Sequence, residues 1–381
     1  MIPVLQPTFH PGHDDEAPFR VHSLLKQPHL GLTEEADAVN EVIRSGWWGE
    51  GPKVAEFEKA MAERYGRRHC IAVNSCTAAL HLALLAHNVG PGDEVILPAL
   101  TFVSTGLAVL YVGARPVFAD VYPDTLTLDW ANLKHLITPK TRAIMPVDYA
   151  GYPAVVHSQL PPRHDVPVIQ DAAHSCGGLA YGDTVCLSFH PVKNLATPDG
   201  GAILTDDGAM ADRLRALRWC GIDRSTWART GKRYSWDYDI AEIGYKCHWN
   251  DVAAAIGLVQ LKHLDELNAR RRELAARYDE YLSPFVQVPP NHDRHMHHLY
   301  PIRVDADKRD ALIDWLVPFG ISAGVHYRPL YDYPIFPTHP SLPVTQREWK
   351  RLVSLPLYAH MTEAEQGTVI GAIRAFVESQ C

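Results

Sequence analysis

The strongest constraint on the fold is the alternation of short β-rich segments with helical segments between about Thr33 and Asp207. This alternation is typical of βαβ units, which place their strands side by side in one sheet with the helices on its faces. Strands are predicted at residues 70–73, 94–98, 115–119, 143–147, 166–170, 185–188 and 201–205. We therefore expect an α/β fold built on one large, mainly parallel, seven-stranded sheet.

Apolar residues recur at helical spacing between these strands. They predict crossover helices at residues 55–65, 77–87 and 101–112, and a long helix that Asn250 opens and that continues through Tyr281. A further strand is expected at 297–304, and further helices at 308–319 and 362–379. We accordingly divide the chain into an N-terminal arm at 1–32, a large ligand-binding domain at 33–264 and a small α+β domain at 265–381.

Composition excludes several classes of function. A formal net charge of −8 and the lack of a basic stripe argue against a nucleic-acid partner. The longest apolar run, at residues 99–112, is too short for a membrane span of about 20 residues, and the polar, proline-broken start does not predict a signal peptide. Seven cysteines without a C-x-x-C pair predict neither a disulfide framework nor a zinc site. We expect a soluble, cytoplasmic protein.

Ligands of open α/β sheets bind outside the carboxyl ends of the strands, so residues that follow predicted strands are the first candidates for a site. The segment 74–77 follows a strand and opens a helix, and its hydroxyls and free backbone N–H groups suit a phosphate. An ordinary helix N-cap by Ser75 would give the same pattern. The segment is therefore a candidate phosphate site with a structural alternative.

Two ionisable residues follow later strands. Asp171 could pair with a protonated ring nitrogen, or it could cap a helix. Lys193 lies on a loop that leaves the sheet, where removal from water would lower its pKa from about 10.4 and make it a nucleophile. On a solvated loop it would be an ordinary surface lysine. The order along the chain of phosphate segment, acid and lysine favours one shared site.

The chain also resembles the DegT/StrS sugar aminotransferase family from about Lys26 to its C-terminus. The motifs that carry the resemblance are residues 90–96, Thr101-Phe102, 171–174, 188–190 with Lys193, 200–203, 254–258 with Gln260-Leu261, and 325–327. The resemblance implies the fold-type-I architecture, pyridoxal 5′-phosphate (PLP) as cofactor, and a homodimer with shared active sites.

The resemblance also implies roles for individual residues. Lys193 would bind PLP covalently and shuttle protons, and Asp171 would pair with the pyridinium nitrogen. The other implied contacts of the cofactor are Ser75, Cys76, Thr77 and Ser188 at the phosphate, Phe102 on the ring face, and His174 beside the aspartate. Trp48, His326 and Tyr327 are implied on the substrate side, and simple packing is the alternative for Trp48.

This sequence departs from the family pattern at several positions. Lys246 and His248 stand where many members have an asparagine and an arginine that reach the neighbouring subunit's phosphate, and both could still do so. Cys76 replaces a common glycine, which matters little if only its backbone N–H is used. Tyr331 replaces a histidine, so the sugar pocket is expected to be unusual. The histidines at 292, 295, 297 and 298 begin a predicted strand, and we expect no metal site there.

We expect an aminotransferase that moves an amino group from glutamate or glutamine to a keto group of a nucleotide-linked sugar. An acceptor of another kind, an inosose-type cyclitol or a related ring ketone, stays open as an alternative. A regulator that holds PLP without turnover is the alternative from a different class. The lack of a DNA-binding module or basic face argues against the regulator.

Overall fold

The computed structural model describes residues 33–154, 166–222, 238–240, 242–336 and 340–380. The predicted N-terminal arm at 1–32 lies outside the described residues. The strands are β1 His69–Val73, β2 Glu94–Pro98, β3 Arg115–Ala119, β4 Thr141–Ile144, β5 Ile169–Asp171, β6 Thr184–Ser188, β7 Gly201–Thr205, β8 Tyr300–Arg303 and β9 Leu352–Leu355.

The helices are α1 Thr33–Ser45, α2 Pro52–Tyr65, α3 Cys76–Ala86, α4 Val103–Tyr111, α5 Gly208–Arg218, α6 Asp251–Leu282, α7 Arg309–Leu316, α8 Pro343–Glu348 and α9 Glu363–Ser379. Short 3₁₀ helices occur at Trp130–His135, Tyr149–Gly151, Val317–Phe319 and Leu330–Asp332. Across the described ranges, no helix combines the length and the apolar character that crossing a membrane requires.

The first seven strands form the predicted sheet. Hydrogen bonds join β1, β7, β6 and β5 in that order, and separately β3, β2 and β4. Parallel bridges from Ile144 to Val168 and from Val147 to Asp171 connect the two groups, so the order is β3-β2-β4-β5-β6-β7-β1. Only β7 runs antiparallel to its neighbours. The prediction of a mainly parallel seven-stranded sheet is confirmed.

Two strands are shorter than predicted where they meet. β4 ends at Ile144 rather than at residue 147, and β5 begins at Ile169 rather than at residue 166. Each predicted segment contains a proline, which has no N–H to donate to the ladder. The carbonyls of Pro146 and Pro167 still accept bonds from Asp171 and Ile144, so the chains stay adjacent through isolated bridges.

Helices cover both faces of the sheet and bury it. On one face, α3 is enclosed almost completely, and its Ala79, Leu82 and Leu84 are fully buried. On the other face, Phe57 of α2 packs edge-on against Trp249, with ring centroids 4.9 Å apart. Because the sheet is buried on both sides, its strand ends are the places where polar groups can meet a ligand.

Helix α6 is continuous over 32 residues and contributes to two hydrophobic cores. Its first half packs with Phe57 and Trp249, and its second half packs Leu274 and Tyr278 against β8. The predicted domain division at residue 264 falls inside this helix. The division therefore stays a prediction, and α6 is the element that links the two cores.

Two glycines in helices provide a matched test of this packing. A Cβ atom at Gly257 of α6 would lie 2.9 Å from Phe57 and 3.0 Å from Trp249, whereas Gly371 of α9 faces open space. We expect Gly257→Ala to lower the free energy of unfolding by about 1–3 kcal/mol through overpacking. Gly371→Ala should raise it by about 0.5–1 kcal/mol, since alanine is the better helix former. Denaturant unfolding monitored by tryptophan fluorescence measures both, and effects of the same sign would contradict the described packing.

Candidate active site

A cavity of about 520 Å³ lies at the carboxyl ends of the parallel strands. The structure brings ten of the predicted site residues together in its lining: Ser75, Cys76, Thr77, Phe102, Asp171, His174, Ser188, Lys193, His326 and Tyr327. Ser75 follows β1, Asp171 ends β5 and Ser188 ends β6. These strands run in the same direction, which is why residues distant in sequence meet at one edge of the sheet.

The segment after β1 both caps helix α3 and offers donors to a phosphate, the two roles that the sequence left open. The Ser75 side chain caps α3, since its Oγ accepts a hydrogen bond from the Ala78 N–H at 3.1 Å. The cap leaves the first backbone N–H groups of the helix, at Cys76 and Thr77, without intrahelical acceptors. With the positive end of the helix dipole, these groups form a cup that suits a phosphate, here called the phosphate cup.

Close approach of β7 completes the cup. A Cβ atom at Gly201 would lie only 2.6 Å from the Cys76 nitrogen, so a larger residue here would push β7 away from the start of α3. Gly201 pairs with Ser188, which brings the Ser188 hydroxyl to the same place. Burial raises the pKa of the Cys76 thiol, so it stays neutral and adds no negative charge beside a phosphate.

Asp171 presents a buried carboxylate to the cavity. Its Oδ2 accepts a hydrogen bond from Thr105 Oγ1 at 2.8 Å, and its Oδ1 accepts one from the Ala173 N–H at 3.1 Å. Thr101 lies 2.8 Å from Thr105 and continues this chain of hydroxyls. Burial raises the pKa of Asp171, because no cation of the described residues contacts the carboxylate directly to offset its desolvation. A protonated ring nitrogen would supply that charge.

Asp148 is a second buried carboxylate near the same strand ends, but it does not line the cavity. Its oxygens accept hydrogen bonds from the Ala154 N–H, Gln170 Nε2, Ser175 Oγ and Tyr181 Oη. Burial raises the pKa of Asp148 to about 6. Since its oxygens are already engaged by these four donors, Asp171 is the carboxylate available to a ligand.

Lys193 lies on the loop that follows β6, and its side chain is partly buried in the cavity. Removal from water lowers the pKa of Lys193 to about 8. Its Nζ lies 3.3 Å from Nε2 of His298. The structure thus places this lysine beside Asp171 rather than in solvent, and a substantial fraction of its amine is neutral near pH 8.

Neutral histidines surround the lysine. Nδ1 of His174 accepts a hydrogen bond from the Ala150 N–H at 3.2 Å, so the proton of its neutral ring sits on Nε2, which lies 3.0 Å from Tyr327 Oη. Burial lowers the pKa of His174 and of His298 well below the ordinary value, and that of His326 to about 4. Because His174 donates to it, the Tyr327 hydroxyl can donate its own proton into the cavity.

Several lining residues were not predicted from the sequence: Ser104, Thr105, Arg271 and His298. Thr105 follows Thr101 by four residues, a spacing that could have indicated that the two hydroxyls lie on one side of the chain. His298 was grouped with neighbouring histidines at a strand start, and His295 and His297 do stack on each other there at 3.9 Å. Within the part of the chain that the structure describes, no three metal-ligating side chains form a group that could hold an ion.

Three predicted residues lie elsewhere. Trp48 and His248 line a separate cavity of about 300 Å³ together with Glu50 and Trp219. Lys246 places its Nζ 5.5 Å from the centre of the Trp219 ring. These residues do not reach Lys193 within one chain, so any role at a cofactor requires a second subunit.

The fold and the cavity are those of a fold-type-I PLP-dependent transferase, and comparisons with known proteins agree. Residues 31–374 match the DegT/DnrJ/EryC1/StrS aminotransferase family. The spore coat polysaccharide biosynthesis protein SpsC of Bacillus subtilis (strain 168) is 39% identical over 368 residues, which cover 91% of this chain and 95% of that protein. The aminotransferase TlmJ from Streptoalloteichus hindustanus is 34% identical, with a TM-score of 0.84 over 93% of this chain and 99% of that chain.

A putative sugar aminotransferase, Spr1654 from Streptococcus pneumoniae, was solved in its PMP form; it is 28% identical, with a TM-score of 0.86 over 94% of this chain and 99% of that chain. The chain described here belongs to the DegT/DnrJ/EryC1/StrS aminotransferase family. It is an aminotransferase, and its cofactor is PLP. The residues present fit that cofactor, with a cup for its phosphate, a buried carboxylate for its ring nitrogen and a partly desolvated lysine for its aldehyde.

The lowered pKa of Lys193 makes a testable prediction for the apoenzyme. Covalent capture of PLP requires the neutral amine, so the capture rate should rise with pH, with its midpoint near 8. Stopped-flow absorbance across a pH series measures this rate, and Nα-acetyl-lysine amide serves as the unburied control. A midpoint near the ordinary lysine value of 10.5 would show that the cavity does not desolvate Lys193.

Proposed function

We propose that this enzyme transfers an amino group from glutamate or glutamine to a keto group of a nucleotide-linked sugar. The observation that carries the proposal is the single cavity in which Lys193, Asp171 and the phosphate cup of 75–77 meet. The names of SpsC, a polysaccharide biosynthesis protein, and of the putative sugar aminotransferase support a sugar as the acceptor. The family assignment supports amino transfer as the reaction.

Each residue has a distinct task in this proposal. When bound, PLP supplies an electron sink that stabilises negative charge at a substrate carbon. The Asp171 carboxylate holds the proton of the ring nitrogen, and the hydroxyl of Thr105 orients that carboxylate. The neutral amine of Lys193 takes a proton from the donor's α-carbon. His298 Nε2 lies 3.3 Å from the lysine amine, and this contact keeps the amine inside the cavity.

Substitution of Lys193 and Asp171 tests the assignment. Lys193→Ala should leave a folded protein without the visible absorbance of lysine-bound PLP. Asp171→Asn should keep that absorbance but slow conversion by glutamate about 10²–10³-fold, because a neutral amide cannot hold the ring nitrogen protonated. Absorbance changes after mixing holoenzyme with glutamate measure both effects.

The exposed Lys262, which pairs with Glu34 at 2.8 Å, offers a matched control, and Lys262→Ala should behave like the wild type. Retained absorbance in Lys193→Ala, or near-normal conversion in Asp171→Asn, would remove the respective residue from its role. A wild-type holoenzyme whose absorbance does not respond to glutamate or glutamine would instead indicate a regulator without turnover. A screen of keto-sugar nucleotides against free inososes then separates the two kinds of acceptor.

We further propose a two-fold homodimer in which Lys246 or His248 of one subunit contacts the phosphate held by the other. A bound phosphate carries nearly two negative charges, whereas the cup offers neutral hydroxyl and N–H donors. Large apolar side chains near residues 244–248 are exposed in the single chain, among them Trp48 at 56% and Ile243 at 85%. Exposed apolar surface of this kind is typical of an interface.

Hybrid dimers test the shared site. Lys246→Glu alone should weaken PLP binding, because it replaces an attractive charge with a repulsive one. A purified hybrid of one Lys193→Ala subunit and one Lys246→Glu subunit contains one intact site and one doubly altered site, so it should show about half of the wild-type turnover per dimer. Both parent homodimers serve as controls. A hybrid as inactive as its parents would show that Lys246 serves the site of its own subunit or no site.

A further inference from the structure

Three arginines among the described residues have no more than 5% of their surface exposed, and they differ in their hydrogen-bonding partners. Arg218 contacts the carboxylates of Glu50 and Glu58. Arg303 lies 3.4 Å from the carboxylate of Glu348. Arg271 has no carboxylate partner among the described residues, and of the three it is the one that lines the active-site cavity.

Backbone carbonyls hold one end of the Arg271 guanidinium. Its Nη1 donates to the carbonyl oxygens of His297 at 3.3 Å, His298 at 3.4 Å and Leu357 at 3.0 Å. None of the described residues accepts a hydrogen bond from Nε or Nη2. The guanidinium is therefore fixed in orientation and still has donors for a ligand in the cavity.

A buried guanidinium without a counter-ion is costly, because carbonyl dipoles offset only part of the lost hydration. Burial lowers the pKa of Arg271 to about 10, so the group still carries its positive charge near neutral pH. The other two buried arginines offset this cost with glutamates of the same chain. For Arg271 the missing negative charge must come from a ligand or remain absent.

His298 connects this cation to the reacting amine. Its carbonyl accepts from Arg271, while its ring Nε2 lies 3.3 Å from Lys193 Nζ. Both groups line the same cavity, so a ligand held near Lys193 could present an anionic group to the guanidinium. In an amino acid the carboxylate lies within a few bonds of the nitrogen, whereas in a sugar nucleotide the sugar ring separates the diphosphate from the reacting carbon.

We propose that Arg271 binds a carboxylate of the amino-acid donor and so selects the donor of the reaction. The inference rests on the proposed aminotransfer and names the chemical group that the donor must carry. A planar guanidinium recognises a carboxylate through paired hydrogen bonds, which lysine cannot reproduce. During the sugar half of the reaction, Arg271 keeps its three carbonyl partners.

The test compares three amines in a single conversion of holoenzyme: glutamate, alanine without the side-chain carboxylate, and 4-aminobutyrate without the α-carboxylate. Arg271→Lys retains the charge and a donor to the carbonyls, and it should lower kcat/KM for glutamate about 10–100-fold. One of the other two amines lacks the carboxylate that Arg271 binds and so has no contact to lose. Its kcat/KM should change less than about threefold. If kcat/KM for 4-aminobutyrate is unaffected by Arg271→Lys, the arginine binds the α-carboxylate. If kcat/KM for alanine is unaffected, the arginine binds the side-chain carboxylate.

Arg303→Lys is the matched control, because it alters a buried arginine that does not line the cavity, and it should affect all three amines equally. Equal losses for the three amines in Arg271→Lys, or no loss, would overturn the proposal. A wild-type enzyme that converts none of them would contradict the proposed function instead.

A measurement on the wild-type holoenzyme does not depend on how any variant folds. Glutarate should compete with glutamate at least about tenfold more strongly than its neutral diamide, since only the dicarboxylate offers an anion to the guanidinium. Equal competition by the two compounds would also overturn the proposal.

Discussion

The burial of opposite ionisable groups in one cavity is the constraint on which the rest of the site depends. Removal from water raises the pKa of Asp171 and lowers that of Lys193, so the same desolvation moves both groups toward neutrality. Under the proposed function, PLP would supply what each group lacks, a cation for the carboxylate and an aldehyde for the amine. The hydroxyls of Thr101 and Thr105 and the ring of His298 orient these two groups without adding charge.

The sheet supplies the position for that cavity. Its strand ends converge because every neighbour pair except those of β7 is parallel, and a parallel sheet covered by helices on both faces exposes polar groups chiefly at its ends. The reversed strand β7 also matters, because Gly201 lets it approach the first turn of α3 closely. The phosphate cup is thus a product of strand order and of one missing side chain.

Helix α6 connects this site to the second hydrophobic core, the one around β8. Its Gly257 fits against Phe57 and Trp249 of the large core, and its Tyr278 packs against Tyr300 with ring centroids 4.8 Å apart. Arg271 lies between these two contacts and binds carbonyls of segments that flank β8 and β9. The proposed donor site is therefore built at the junction of the two cores, where a buried cation can be held by backbone rather than by an acid.

The sequence by itself determined the elements and their order. Alternating patterns are local, so they placed all seven strands of the sheet, and the largest boundary errors lie at Pro146 and Pro167, where a missing N–H shortens the assigned strands. The same strand-end logic, together with the family resemblance, predicted Ser75, Asp171 and Lys193, which the structure brings into one cavity.

Only the tertiary structure could decide how distant groups use their hydrogen-bonding capacity. Asp148 and Asp171 look alike as acids at strand ends, yet four donors from separate segments occupy Asp148 and leave Asp171 to a ligand. His298 and Arg271 carry no local signal, because their roles arise from contacts with residues about a hundred positions away. Burial and partnership are long-range properties of the folded chain, and they separate a functional charge from a structural one.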